Sequence, residues 1–166
     1  MIGIISDTHD NIDSIRKAVS IFKTRKVEFV IHCGDIIAPA TVKYFESLKM
    51  KFIFGNCDGN RSLILKRVEE IKGEHHGRIM EIKHRGKSIC AVHGDNQGIF
   101  EKALGQGYDY LLHGHTHIPE DRKIKDTRVL CPGGHYLGDP KERNQVIILD
   151  LEKDNVEFIN VNSEKA

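Results

Sequence analysis

Five short apolar runs, each ending abruptly in Gly, Asp, Asn or His, limit what this chain can fold into more than any other feature. Residues 2–5 lead into Ser6-Asp7-Thr8-His9, and residues 29–31 lead through His32 and Cys33 into Gly34-Asp35. Residues 52–54 lead into Gly55-Asn56-Cys57-Asp58, and residues 89–92 into His93-Gly94-Asp95. Residues 110–112 lead through His113 into Gly114-His115-Thr116-His117. Runs this rich in Ile, Val and Phe read as strands buried on both faces. In open α/β sheets, sites form in the crevice beyond the carboxyl ends of such strands. Five such ends would gather Asp7, Asp35, Asn56, His9, His93, His115 and His117 along one edge.

The rest of the chain fills in around those runs. Ile12, Ile15, Val19 and Phe22 recur at helical spacing after Asp10 and Asn11, either of which can cap the helix. Further helices are predicted over 39–48, with Pro39 in the first turn, and over 61–71 and 99–104. Strand-helix alternation in the first half is the βαβ pattern. The second half is mostly strand: 79–82 and 87–92 read as a hairpin, followed by strands near 124, 128–130, 145–151 and 156–161. Two sheets packed face to face with helices outside accommodate both halves. A chain of 166 residues suits one such domain, spanning 1–166.

Composition excludes some partners. A net charge of +1 supplies no chain-wide field for nucleic acid or an anionic membrane. No apolar stretch is long enough for a membrane span, and the N-terminus runs straight into a strand, so a cytoplasmic location is expected. The four cysteines lack C-x-x-C spacing, which argues against a structural zinc site.

With D-x-H, G-D, G-N-x-[DE], H-G and G-H-x-H present in order over residues 7–117, the chain resembles the calcineurin-like metallophosphoesterase superfamily, in its small archaeal and bacterial phosphodiesterase branch. The resemblance implies a four-layer αββα sandwich of two mixed β-sheets flanked by helices. It also implies a dinuclear metal site, with Asp7, His9 and His117 on the first metal, Asp35 bridging, and Asn56, His93 and His115 on the second. Two cations roughly 3.5–4 Å apart activate a water as hydroxide and clamp phosphoryl oxygens for in-line attack. The mixed imidazole and carboxylate set suits Mn first, with Ni, Co, Fe or Zn as alternatives, over Ca. Each block also has a plainer reading: Asp7-Thr8-His9 as a capping turn, Gly55-Asn56 as a tight turn, and His93 or His115 as strand-end residues.

Two departures from the family pattern bear on catalysis. Many members carry a histidine after the Asn ligand, where this chain has Cys57. A thiol with an ordinary pKa of about 8.5 is a poorer proton donor than imidazolium at neutral pH. His135 or a metal-bound water is the candidate replacement acid, and Asp58 either orients a neighbour of the site or caps the helix near Arg61. The second departure is Cys131-Pro132-Gly133-Gly134, a structural turn whose cysteine, if near the metals, would be open to oxidation. His32 and His113 are expected to be buried strand residues, and His75, His76 and His84 to be solvated. Residues 61–87 carry eight Lys or Arg against four Glu, a solvated face or else a positive rim drawing phosphoesters to the site.

The leading expectation is a metal-dependent phosphodiesterase acting on a small phosphodiester or nucleotide-like substrate. A phosphomonoesterase or nuclease of the same superfamily is an alternative. Seven Phe, four Tyr and no Trp leave little with which to stack bases, so no stable nucleic-acid partner is expected. A non-catalytic protein-interaction scaffold is the rival from another class, and retention of all seven ligand side chains weighs against it. A homodimer interface could lie on the apolar faces of the later strands.

Overall fold

The N-terminal strand β1 (Ile2–Ile5) shows how two layers can share one strand. Ile2 and Ile4 point into the core between the sheets, whereas Ile5 joins the core under the helices. Around it, in this computed structural model describing residues 1–163, lie two mixed sheets; residues 164–166, the tail of the predicted domain, fall outside the described residues. The first sheet has the order β11-β10-β1-β2-β3-β4, with β2 (Val30–His32), β3 (Met50–Phe52), β4 (Glu74–His75), β10 (Gln145–Asp150) and β11 (Asn155–Asn160). The second has the order β5-β6-β7-β9-β8, with β5 (Ile79–His84), β6 (Lys87–Val92), β7 (Tyr110–Leu112), β8 (Glu120–Ile124) and β9 (Thr127–Cys131).

Three buried clusters define four layers. Helices α1 (Ile12–Thr24) and α2 (Arg61–Glu70) cover the first sheet through Ile15, Phe22, Ile64 and Val68. Ile4, Ile31, Met80, Ile89, Leu112 and Ile147 fill the space between the sheets. Helix α3 (Gln97–Gly105) covers the outer face of the second sheet through Ala103, against Cys90, Val92, Leu111 and Val129. Strands β1, β2 and β3 are parallel, as are β6, β7 and β9, so their carboxyl ends point the same way within each sheet. That arrangement places the five Gly/Asp/Asn/His turns along one edge.

Several local expectations shift. The helix read over 39–48 is instead a 3-10 helix, Pro39–Phe45, with Pro39 in its first turn as expected. Asn11, not Asp10, caps α1, its side chain accepting from the Ser14 N–H at 3.2 Å. The predicted hairpin closes through Arg85 (φ 49°) and Gly86 (φ 75°), a two-residue turn with both φ values positive that matches the strand twist. Both faces of β10 are covered within the chain, Val146 and Ile148 under the helices and Ile147 and Leu149 between the sheets. Among the described residues no helix is long and apolar enough to cross a membrane.

His75 and His84 are half-buried rather than solvated. The His75 ring lies 3.9 Å from that of Phe54, whose ring the Arg61 guanidinium also approaches at 4.9 Å. His84 bonds to Glu28 at 3.1 Å and packs edge-on against Phe29. Burial, the largest cause, pulls the His75 pKa down to about 4. The fold therefore refuses a proton that the unfolded chain accepts below about 6.5, so stability is complete above that pH and drains as pH falls toward 4. Between pH 7.5 and 5, chelator-treated wild-type protein should lose on the order of 1 kcal/mol more stability than His75→Gln, after allowance for partial exposure. Urea melts at the two pH values check this; equal losses would refute it.

Candidate metal centre

The turns that end the parallel strands are tied together by main-chain hydrogen bonds before any side chain is considered. Asp7 N–H donates to Gly34 O at 3.0 Å, and His9 N–H to Asp35 O at 3.1 Å, joining the β1 and β2 turns. Gly114 N–H donates to His93 O at 2.9 Å, joining the β6 and β7 turns. His135 N–H donates to Asp7 O at 2.8 Å, bringing in the loop after β9. Asp7, His9, Asp35, His115 and His117 all have φ between 42° and 67°, in the left-handed region that side-chain-bearing residues rarely occupy. Such conformations cost roughly 1 kcal/mol or more each and persist where the surroundings over-determine them. Two glycines permit the crowding: a Cβ on Gly55 would strike the Asp35 carboxylate, and one on Gly114 would strike Ser6 Oγ and the Asp7 carboxylate.

Inside this frame two donor groups converge, Asp7–His9–His117 and Asp7–Asp35–His93. His9 Nε2 and His117 Nε2 are 3.2 Å apart, and His117 Nε2 is 3.3 Å from Asp7 Oδ1. Donors held at about 2.1 Å from one cation are separated by roughly 3.0–3.4 Å, so two of the three separations match a shared cation while His9 Nε2 and Asp7 Oδ1, at 3.9 Å, stand wider. Asp35 Oδ2 lies 3.7 Å from His9 Nε2 and 3.5 Å from His93 Nε2, between the two groups. Asp7 Oδ1 is 3.9 Å from His93 Nε2, so both carboxylates stand at the junction, not Asp35 alone. Asn56 Oδ1 is 3.0 Å from His93 Nε2. His115 is exposed at the edge of the cluster, its ring 5.3 Å from that of His93 and its N–H donating to Asp7 Oδ2; it belongs to neither donor group.

The electrostatics fit a cation. Asp7 Oδ1 is buried and has no hydrogen-bond partner among the described residues, an expensive state for a carboxylate oxygen that a metal would relieve. Burial works against ionisation of Asp35, but His93 and the Cys57 N–H overcome it and hold the carboxyl well below its usual range. His117 is pushed up to about 9, chiefly by the Asp7 carboxylate 3.3 Å away and also by Asp139. Imidazolium there occupies, in charge, the place a cation would take.

Partners behind the donors fix their orientation. His93 Nδ1–H donates to Cys33 O at 2.9 Å, leaving Nε2 turned inward. His117 Nδ1 bonds to Asp139, a residue that sequence reading did not identify. Its only local signal is the Gly138-Asp139-Pro140 turn, which says nothing of a neighbour 22 positions away. Tyr136, also unanticipated, meets the His9 ring at 5.4 Å. Buried His32 bonds to Thr8 Oγ1 at 3.0 Å, and so supports the β1 turn.

Other expectations are corrected. Asp58 is not a helix cap, since Asn60 caps α2 by accepting from Leu63 N–H. The buried Asp58 carboxylate instead accepts the N–H groups of Asp35, Ile36, Ile37 and Gly55 at 2.7–3.1 Å, holding the Asp35 turn. With its oxygens so engaged, its observed part is to position the Asp35 turn. His135 is fully buried, Nε2 donating to Gln145 O at 3.1 Å, and burial pulls its pKa down to about 4. Cys57 is exposed, and burial of its surroundings followed by Asp35 pushes the thiol up to about 11. Cys131 is fully buried with a thiol pushed up to about 12, contrary to the idea of an oxidisable cysteine. Four of the eight basic residues of 61–87 are in ion pairs, Arg67 with Glu70, Arg78 with Asp95, Arg85 with Glu28 and Lys87 with Asp109, while Arg61 donates to Gly55 O at 3.1 Å beside Asn56. Residues 84 and 87 pair at the end of the β5–β6 hairpin away from Val92 and the ligand turns.

Removing the Asp58 carboxylate should loosen the centre without touching a donor. Asp58→Ala leaves four N–H groups short of their acceptor and should cost on the order of 3 kcal/mol of stability. Metal affinity should fall roughly 10–100-fold, as for other groups that orient ligands. Denaturant melts and calorimetric metal titration check both; an unchanged affinity would refute the positioning role.

Residues 1–154 match the calcineurin-like phosphoesterase superfamily domain. A phosphodiesterase of Methanocaldococcus jannaschii is 36% identical over 159 aligned residues, covering 92% of this chain and 93% of its own length. A probable metallophosphoesterase of Methanothermobacter thermautotrophicus is 32% identical over an alignment 171 positions long, covering 96% of this chain and 91% of its own length. The structure superposes on that of an archaeal phosphodiesterase with a TM-score of 0.86 at 34% identity, over 95% of this chain and 98% of that one.

Proposed function

The chain belongs to the calcineurin-like phosphoesterase superfamily, and from that premise we propose a metal-dependent phosphodiesterase acting on a small or nucleotide-like diester. The observation that carries the reading is the unpartnered, buried Asp7 Oδ1 surrounded by His9, His93 and His117. Divalent cations bound there would supply Lewis-acid stabilisation of phosphoryl oxygens and a water of lowered pKa. Asp7, His9 and His117 hold the first, Asn56, His93 and His115 the second, with Asp35 between them. His115 reaches this role only by turning inward from its exposed position. The mixed donor set supports Mn, Ni, Co, Fe or Zn, and manganese is the first to test. Four unpaired cysteines support a reducing, cytoplasmic setting.

The chain's own residues divide the remaining work. Cys33 O and Asp139 fix the histidine tautomers so that Nε2 faces the substrate side. Asp58 and the main-chain bonds between turns keep the two carboxylates in register. No imidazole follows Asn56, and His135 is sealed away, so protonation of the departing oxygen has no dedicated side chain at those positions. The enzyme therefore favours esters with good leaving groups.

Chelator-stripped protein should gain hydrolysis of bis(p-nitrophenyl) phosphate on adding manganese, with nickel, cobalt, zinc and magnesium compared singly. Asp35→Ala and His93→Ala should each lower it by more than about 100-fold. Turnover that needs no metal, or that survives both substitutions, would overturn the reading; cleavage of p-nitrophenyl phosphate in preference would make the enzyme a monoesterase. Cys57→His should raise rates on alkyl diesters by about tenfold or more while changing aryl diesters less, because only the poor leaving group needs the proton. Equal rises on both, or none, would dismiss the missing-acid account.

A further inference from the structure

Tyr136 meets the candidate metal centre directly. Its ring centre lies 5.4 Å from that of His9 and 6.4 Å from that of His117, two donors of one group. Adding about 1 Å from the His9 ring centre to Nε2, and about 2.1 Å from Nε2 to a bound cation, places that cation within about 9 Å of the Tyr136 ring centre. A phosphoester held through one oxygen can bridge that gap with the organic group it carries.

The ring is fixed where it stands. His135 N–H donates to Asp7 O at 2.8 Å just before it, and just after it Asp139 N–H donates to Tyr136 O at 3.0 Å while the Asp139 carboxylate bonds to His117 Nδ1. A Cβ on Gly138 would come within 2.6 Å of the Tyr136 ring, so glycine is what lets the ring lie across this turn. Tyr136 is nevertheless 51% exposed, and Leu137 beside it is 81% exposed. A ring that served only to brace His9 would be covered; this one keeps half its surface open at the rim of the donor cluster.

Charge at the rim points the same way. Among the described residues, the carboxylates of Asp7, Asp35 and Asp139 form ion pairs only with histidines, so no lysine or arginine is paired to the cluster. A phosphomonoester carries close to two negative charges at neutral pH, and a diester carries one. The extra charge of a monoester gains nothing from the tyrosine face, whereas the second organic group of a diester gains by covering it.

We infer that Tyr136 selects phosphodiesters over phosphomonoesters, its ring packing on the ester group that stays on phosphorus; the inference rests on the phosphoester reading given above.

Steady-state kinetics of manganese-loaded protein on bis(p-nitrophenyl) phosphate and p-nitrophenyl phosphate test this, beside calorimetric titrations with diphenyl phosphate and with manganese itself. Wild type should favour the diester in kcat/KM. Tyr136→Ala, at a half-exposed position in a turn held by its main chain, should lower the diester-to-monoester ratio about tenfold through a higher KM for the diester. Binding of diphenyl phosphate should weaken by a similar factor. Tyr136→Phe keeps the ring and should stay within about threefold of wild type in both measurements. Manganese affinity should be the same in all three proteins. Weaker manganese binding with equal losses on both substrates would make Tyr136 a support of His9 and overturn the inference. So would a ratio that survives Tyr136→Ala, or a loss in Tyr136→Phe as large as in Tyr136→Ala, which would move the role to the hydroxyl. A wild type that favours the monoester also overturns it and leaves the phosphoester reading standing. If neither ester is turned over with metal and diphenyl phosphate does not bind, both fall.

Discussion

Two carboxylates, those of Asp7 and Asp35, are buried within reach of the same histidine, and the rest of the structure is organised around that arrangement. Like charges in a dry interior are tolerated only when compensated, and here compensation comes from His93 and His117 on one side and from main-chain N–H groups on the other. One oxygen, Asp7 Oδ1, is left over. A cation is the group that answers all of these demands at once. The strained turns, the glycines without room for a Cβ and the buried Asp58 are intelligible as devices that hold the two carboxylates together against their repulsion.

Sheet topology makes that possible. Parallel pairing of β1 with β2 and β3, and of β6 with β7 and β9, sets carboxyl ends side by side, so turns far apart in sequence become neighbours. The apolar cores on both sides of each sheet keep the strands from sliding, because a one-residue slip would invert every buried face. The cluster is therefore built on the turns that end buried strands, and the 132–140 loop joins it through His135 N–H to Asp7 O and Asp139 to His117.

The elements whose signals are local were legible in the sequence. The five apolar runs, their polar ends and the hairpin at 84–87 appear close to where they were expected, since period, burial pattern and turn chemistry act over a few residues. Where a residue's meaning depends on what comes to meet it, the reading was partial. Asp58 was seen as either orienting or capping, and only the packed β2 turn decides for orienting. His135 looked available because its loop returns to the site, yet its ring turns into the interior and the next residue, Tyr136, faces His9. The histidines at 75 and 84 sit in a polar stretch but lie against Phe54 and Phe29, contacts that no short-range pattern records.

Sequence alone determined the two-sheet α/β class, the order of the strands' polar ends and the chemical types of the donors, because these follow from hydrophobic period and from which side chains carry lone pairs. Tertiary structure decided which donors share a point, that Asp7 as well as Asp35 stands at the junction, and that His115 stays at the edge. It also supplied Asp139 behind His117, sealed His135 away and drew four of the eight basic residues of 61–87 into separate ion pairs. The physical reason is that distance, burial and charge compensation between residues far apart in sequence are properties of packing, and the chain acquires them only when both sheets close on their common core.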